Sequence, residues 1–342
     1  MSIFSCIMSN SDNYYMRLAI EEAMRGGAKV FPNPRVGAVI VSNDKILSSG
    51  YHEFFGGPHA ETSVIKNIKS QFSEATLYVT LEPCNHKGKT SPCSDLIKPE
   101  NFSRVVVGTS DPNPTAKGGI DTLRSKGIKV DVNILQDECR KINRRFFTFH
   151  EKKRPYVILK IASTMDGFIA QKNGHSKWIT NEKSRNTVHQ LRSSCDAILV
   201  GNNTVTKDNP KLTSHGVGKN PKILLFKGFK NEKSKINVLE NNPIIIPKRD
   251  LSADPKDNIK TILDLMYEKS LQTLLVEGGG ITFSNFFDSN LYDEVQVYYA
   301  PKIIGEGLSF YNNKSSLEKD LGLTLHKVED FENDIKITYI KE

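Results

Sequence analysis

His59-Ala60-Glu61, followed by Pro83-Cys84 and, after an eight-residue spacer, by Pro92-Cys93, brings together the side chains best suited to chemistry in this chain. One imidazole and two thiolates suit zinc. A catalytic zinc takes three protein ligands and keeps its fourth position for water, which the metal's charge acidifies toward hydroxide near neutral pH. Glu61 follows the His by two residues, on a stretch that reads as the first turn of a helix (59–68), so its carboxylate can reach the same water without ligating the metal. That division of labour suits hydrolytic removal of a ring amino group, with the carboxylate moving protons to the ring nitrogen and the departing ammonia. Taken singly, a His is usually a satisfied surface or core group and a free Cys a small buried hydrophobe. A structural zinc with four protein ligands is the alternative, and His86 would be its fourth. Such a site explains neither Glu61 nor the prolines before each Cys.

Those residues need a scaffold, and the flanking pattern supplies one. Residues 13–25 carry Tyr15, Leu18, Ala19 and Ala23 on one helical stripe that stops at Gly26-Gly27. Apolar runs at 36–42 and 45–50 flank Asn43-Asp44, a hairpin signal. After the helix at 59 come a strand at 75–81, a short helix from Cys93, a strand at 104–108, a helix after Gly119 and a strand at 128–133. Interleaving of this kind predicts a three-layer α/β/α domain over 1–150. The basic run from Arg140 to Arg154 lies where a linker is expected. A second domain, 151–342, opens with a strand at 156–162, then a helix at 182–195 with Arg185, His189 and Arg192 along one side. Strands follow at 197–201, 222–226 and 271–276. The last runs into Gly278-Gly279-Gly280 and a helix at 282–287, which is either a phosphate cradle or a tight structural turn.

At 342 residues the chain suits two domains, and its 38% hydrophobic and 25% charged residues are ordinary for a soluble globular protein. No apolar run reaches the roughly 20 residues that cross a bilayer. No basic region precedes an apolar core at the N-terminus, so a cytoplasmic protein is expected. Cys6, Cys139 and Cys195 form no paired pattern and read as structural, as a reducing compartment allows. The net charge of +8 invites a nucleic-acid partner. The charge is dispersed, however, and lacks interleaved aromatics, so neither nucleic acid nor membrane is expected as a partner.

The run Thr80-Leu81-Glu82-Pro83-Cys84-Asn85-His86-Lys87-Gly88-Lys89-Thr90-Ser91-Pro92-Cys93 resembles the deaminase motif of the bifunctional riboflavin-biosynthesis deaminase/reductase family. So do Phe31-Pro32-Asn33-Pro34-Arg35-Val36-Gly37, Gly50-Tyr51-His52 and Asp111-Pro112-Asn113-Pro114. In the second half, the runs beginning at Lys160 (Lys-Ile-Ala-Ser-Thr-Met-Asp-Gly), Ser176, Asp196, Asp208 and Glu277 are similar to the reductase domain of that family. The resemblance spans nearly the whole chain.

It implies a cytidine-deaminase-like domain with zinc on His59, Cys84 and Cys93, and with Glu61 catalytic. It also implies a dihydrofolate-reductase-like domain using NADPH. The substrate implied is a phosphorylated diaminopyrimidinone ribosylamine, deaminated to the uracil and then reduced from ribosyl to ribityl. Carried over by position, Asn33, His52, Lys89, Thr90 and Asn113 hold the deaminase substrate. Ala162, Trp178, Thr204, Asp208 and Gly279 hold the cofactor, while Ser176, Arg192, Leu212, His215 and Glu277 hold the reductase substrate. A homo-oligomer is expected. His215 departs from the family, which commonly has Arg there; Lys211 or Lys219 is then an alternative cation for the phosphate. A deaminase whose reductase half has changed substrate is the competing enzymatic reading, and a basic RNA-binding protein the competing non-enzymatic one.

Overall fold

The computed structural model describes residues 3–86, 91–177, 179–226, 236–247, 252–312 and 320–341, with side chains from residue 11 onward. Lys89, Thr90 and Trp178, three of the expected site residues, lie outside the described residues. The chain divides into two compact units, Met1–Lys152 and Lys153–Glu342.

Unit 1 runs α1 (Ile3–Arg25), β1 (Gly37–Ser42), β2 (Lys45–Tyr51), α2 (Ala60–Asn67), β3 (Ala75–Val79), α3 (Cys93–Leu96), β4 (Phe102–Val107), α4 (Gly119–Ser125), β5 (Lys129–Val132), α5 (Gln136–Lys141) and α6 (Arg144–Lys152). Its five strands lie in the order β2-β1-β3-β4-β5, antiparallel at β2-β1-β3 and parallel beyond. Asn43 and Asp44 both take positive φ, 49° and 58°, the geometry a two-residue hairpin needs to match strand twist. Apolar residues cover both faces. Ala60 and Val64 of α2, with Ile120 and Leu123 of α4, pack on one side; Tyr15, Met16 and Ala19 of α1, with Cys139 of α5, pack on the other. This is the expected three-layer arrangement. At Gly37 a Cβ would run into the carbonyl of Ala19, so α1 can lie against β1 only over a glycine.

Two local expectations need correction. Helix α1 begins ten residues before Asn13, at Ile3. The basic run from Arg140 is no linker up to Lys152, because Phe146, Phe147, Thr148 and Phe149 of α6 are buried, the first two against Leu81 of unit 1.

Unit 2 contains β6 (Tyr156–Thr164), β7 (Phe168–Gln171), α7 (Glu182–Ser193), β8 (Ala197–Leu199), α8 (Asn202–Asp208), β9 (Lys222–Phe226), a 3-10 turn (Asn237–Asn241), β10 (Ile244–Ile246), α9 (Pro255–Glu268), β11 (Thr273–Val276), α10 (Gly280–Ser289), β12 (Glu294–Ala300), β13 (Gly307–Ser309), β14 (Leu323–Phe331) and β15 (Asp334–Lys341). Eight strands form one sheet, β10-β9-β8-β11-β6-β12-β15-β14. The first six are parallel and the last two make an antiparallel hairpin at the edge. Every residue of β11 is buried, as expected for a parallel strand covered on both faces. Helices α9 and α10 cover one face with Ile262, Met266, Phe283 and Phe286; Val205 of α8 and Val238 pack on the other. In such sheets the carboxyl ends of the parallel strands open toward ligands.

Candidate active sites

In unit 1, His59 is the N-cap residue of α2, Cys84 follows β3 in an extended segment, and Cys93 opens α3. Their donor atoms converge: His59 Nδ1 lies 3.3 Å from Cys93 Sγ and 3.5 Å from Cys84 Sγ, and the three donors lie within 4.8 Å of one another. Tetrahedral zinc with Zn–N of about 2.0–2.1 Å and Zn–S of about 2.3 Å separates nitrogen from sulfur by about 3.6 Å. The donor set therefore fits three corners of a zinc tetrahedron. His86 is exposed and outside the cluster, which disfavours a four-ligand structural site.

Without a cation the two sulfurs compete for charge. Cys84 is held down to about 4 by the hydrogen bond from Cys93, with help from His59, while Cys93 is pushed up by the neighbouring Cys84 sulfur and by burial. A dication removes that conflict. The Cys93 backbone N–H also donates to Cys84 Sγ at 3.4 Å. Glu61, 3% exposed, stands on the first turn of α2 beside the cluster, and burial pushes its carboxyl up to about 7.

The site's wall is fixed by hydrogen bonds. His52 is buried, and burial holds its imidazole below the usual range. In the neutral ring Nδ1–H donates to the Pro58 carbonyl at 2.8 Å, leaving Nε2 to accept from the Asn33 amide at 3.1 Å; the network assigns this tautomer. The ring stands 5.6 Å from that of His59. Asn33 and His52 thus meet beside the metal cluster. Asn113 lies on the 111–116 loop, whose Ala116 packs on Cys84 and Cys93, and its side-chain oxygen accepts from Thr115.

The sequence reading gives no role to Glu82, which organises this loop. Its carboxylate accepts from the backbone N–H groups of Asp111 (3.0 Å), Gly118 (2.9 Å) and Ile120 (3.2 Å). A Cβ at Gly119 would strike the Pro83 carbonyl, so α4 packs directly on the metal-bearing segment. A carboxylate wedged between a strand end and Pro-Cys was the available signal.

Unit 2 holds a cavity of about 800 Å³ at the carboxyl ends of β6, β8 and β11, within the range of small-molecule sites. Of the expected cofactor positions, Ala162, Thr204, Asp208 and Gly279 line it; of the substrate positions, Ser176, Arg192, Leu212 and Glu277 do. Gly279 caps α10, and a Cβ added there would meet nothing within 4 Å, so the start of α10 faces open space. That glycine-edged helix N-terminus in a roomy cavity fits the phosphates of a dinucleotide.

Arg192 grips Glu277 through two bonds, Nε to Oε1 at 2.7 Å and a terminal nitrogen to Oε2 at 2.9 Å. Lys160, from the middle of β6, lies 4.0 Å from the same carboxylate. Burial pushes Glu277 up, but Arg192 and Lys160 outweigh it and hold the carboxyl at about 2. Lys160 escapes the sequence reading as a site residue, although a lone cation inside Val157-Ile158-Leu159-Lys160-Ile161 is the hint. His215 is not among the groups lining the cavity; its ring stacks on that of His189, which is.

Two family models match the chain. Residues 9–109 match the cytidine and deoxycytidylate deaminase zinc-binding region, and residues 155–337 match the RibD C-terminal domain. A riboflavin biosynthesis protein RibD from Aquifex aeolicus is 41% identical over 348 residues, covering 96% of this chain and 98% of the relative.

The chain belongs to the RibD family.

The RibD of Escherichia coli is 31% identical over 90% of this chain and 92% of its own. Among solved structures, a diaminohydroxyphosphoribosylaminopyrimidine deaminase/5-amino-6-(5-phosphoribosylamino)uracil reductase from Thermotoga maritima matches with a TM-score of 0.83 and 38% identity. It covers 98% of this chain and all of that one. Acinetobacter baumannii RibD matches at 0.85, with 31% identity over 98% of this chain and 99% of that one. The chain is therefore a RibD-type bifunctional riboflavin-biosynthesis enzyme, pairing a zinc-binding deaminase region with a reductase domain of the NADPH-using kind. Its fold class is the expected one.

In this RibD-family deaminase unit, replacing Glu82 by Ala leaves three backbone donors without their acceptor. Denaturant unfolding should show a loss of about 2–4 kcal/mol; an unchanged midpoint would mean that the loop does not depend on that carboxylate.

Proposed function

We propose that unit 1 deaminates a phosphorylated diaminopyrimidinone ribosylamine to the corresponding uracil, and that unit 2 reduces the ribosyl chain of that product to ribityl. The observation that carries this reading is the converging donor set of half-buried His59 and buried Cys84 and Cys93, with buried Glu61 beside it, in a chain of the RibD family. The deaminase and reductase activities of the Thermotoga maritima protein support the substrate assignment.

Zinc held by His59 Nδ1 and the two cysteine sulfurs supplies Lewis-acid activation of water at neutral pH. Glu61 would take one proton from the water and give it to the ring nitrogen as the hydroxyl adds to the ring carbon, then pass the added hydroxyl's proton to the amine, which leaves as ammonia as the C=O forms. A group buried as this one is, and placed near neutrality, can do both. His52, fixed by Pro58 and Asn33, orients the pyrimidine, and Asn113 holds the substrate's far polar end. Lys89 and Thr90 complete that end by family position.

In unit 2, NADPH supplies hydride. Ala162, Trp178, Thr204, Asp208 and Gly279 hold the cofactor, and Ser176, Arg192, Leu212, His215 and Glu277 position the substrate against it. Reduction then depends chiefly on alignment in the cavity.

The protein is proposed to work in the cytoplasm; no described helix is long and apolar enough to cross a membrane. It is also proposed to be a homo-oligomer. Leu325, Val328 and Ile335 are exposed on the β14–β15 hairpin, an apolar surface for a second copy. Light scattering that gives the monomer mass at micromolar concentration would overturn that assignment.

Glu61→Gln should cut ammonia release by about 10²–10⁴-fold, while NADPH oxidation with pre-deaminated substrate continues. Loss of both activities together would contradict two independent sites.

A further inference from the structure

We propose that His189 and His215 form the phosphate-holding end of the unit 2 cavity, and that docking of a phosphate monoester dianion there takes up a proton onto the pair. This rests on the reading of unit 2 as the reductase of a phosphorylated ribosyl compound. The two rings stack with centroids 4.1 Å apart and planes 18° from parallel. His189 stands on α7 one turn before Arg192 and lines the cavity. His215, which does not itself line the cavity, is brought against His189 by a loop fixed at several points: the Arg192 guanidinium donates to Thr213 O at 3.2 Å, Ser214 N donates to Asn220 Oδ1 at 2.9 Å, and Ser214 Oγ donates to Gly218 O at 2.7 Å. His215 takes φ +51° and Gly216 φ +85°. A left-handed backbone is unfavourable for a residue with a Cβ, so the loop holds the ring there against a local cost.

The charges around the pair favour an anion. Arg185 and Arg192 face it from α7 and Lys211 from the loop after α8. Glu277, beyond β11, is the one carboxylate near it, already bound by Arg192 and neighboured by Lys160 of β6. Burial and these cations hold both imidazoles below their ordinary range, so they are neutral at neutral pH. A neutral imidazole offers one N–H and one lone pair, whereas a phosphate dianion only accepts. Its two negative charges reverse the local field, and an imidazolium then offers two donors in place of one. Proton uptake and anion binding are therefore linked, and each strengthens the other.

The test is isothermal calorimetry of the full chain with inorganic phosphate at about pH 8, where phosphate is mostly dianionic and both imidazoles start neutral, in buffers of different ionisation enthalpy. Uptake of about one proton per phosphate is expected, falling to near zero in His215→Arg. A second arm follows NADPH oxidation with pre-deaminated substrate between about pH 7 and 8.5. KM should rise roughly thirtyfold over that span, about tenfold per pH unit, as linkage of one proton requires, and the rise should vanish in His215→Arg. No phosphate binding, binding without proton uptake, or uptake unchanged in both His189→Ala and His215→Arg overturns the proposal. If substrate is not reduced at any pH, the reductase reading fails, while the calorimetry still decides the phosphate site.

Discussion

Two cysteine sulfurs and an imidazole, packed within hydrogen-bonding reach of one another in a buried place, form a charge arrangement that is poor by itself and good around a dication. Everything nearby in unit 1 serves to hold it. Cys84 is drawn down and Cys93 pushed up because two adjacent sulfurs cannot both ionise without a counter-charge. The ligands come from three different segments, so the site depends on the sheet that aligns them. The start of α2 supplies the imidazole, the segment after β3 one sulfur and the start of α3 the other. Glu82 then ties the segment after β3 to the start of α4, through three backbone amides. The acidic partner, Glu61, needs no separate scaffold, because the first turn of α2 carries it with the metal-binding imidazole.

Unit 2 solves a different problem with different means. Its parallel strands end together, and helices α8 and α10 start at that edge, each after a glycine N-cap that lines the large cavity. Arg192 and Lys160 gather around Glu277 inside it, with Arg185, Lys207 and Asp208 elsewhere on its lining. A buried carboxylate between two cations stays ionised across the working pH range. A site of this sort holds its ligands by shape and field, which is what hydride transfer between two bound molecules requires.

Much of this was legible in the sequence because the zinc-site chemistry is local. His59 and Glu61 sit on one helical turn, and each Pro-Cys pair marks a bend into or out of a regular element, so spacing alone carries the zinc site. The two-unit α/β arrangement follows from interleaved apolar runs, and the strands at 222–226 and 156–164 stand where those runs lie. What the sequence hides is set by long-range packing. Lys160 is a lone cation within an apolar run, and only the sheet, with β11 and β12 on either side of β6, sets it beside Glu277. Glu82 finds its partners 29 to 38 residues away. The edge strands β14 and β15 have no counterpart in the sequence reading, although Ile335, Ile337 and Tyr339 alternate along β15 where it pairs with β12. Arg144 to Lys152 reads as a linker by charge, whereas three buried phenylalanines make it a helix. The pairing of His189 with His215, 26 positions apart, depends on the loop's left-handed turn, which no local pattern announces.

The account turns on a metal gripped by three protein donors with one corner left for water beside Glu61. X-ray absorption at the zinc edge of the purified protein tests it most directly. One zinc per chain is expected, with two sulfurs at about 2.3 Å, one imidazole nitrogen and one further light atom at about 2.0–2.1 Å that is not imidazole. A second imidazole or a third sulfur in the coordination shell, or no zinc at all, would contradict it.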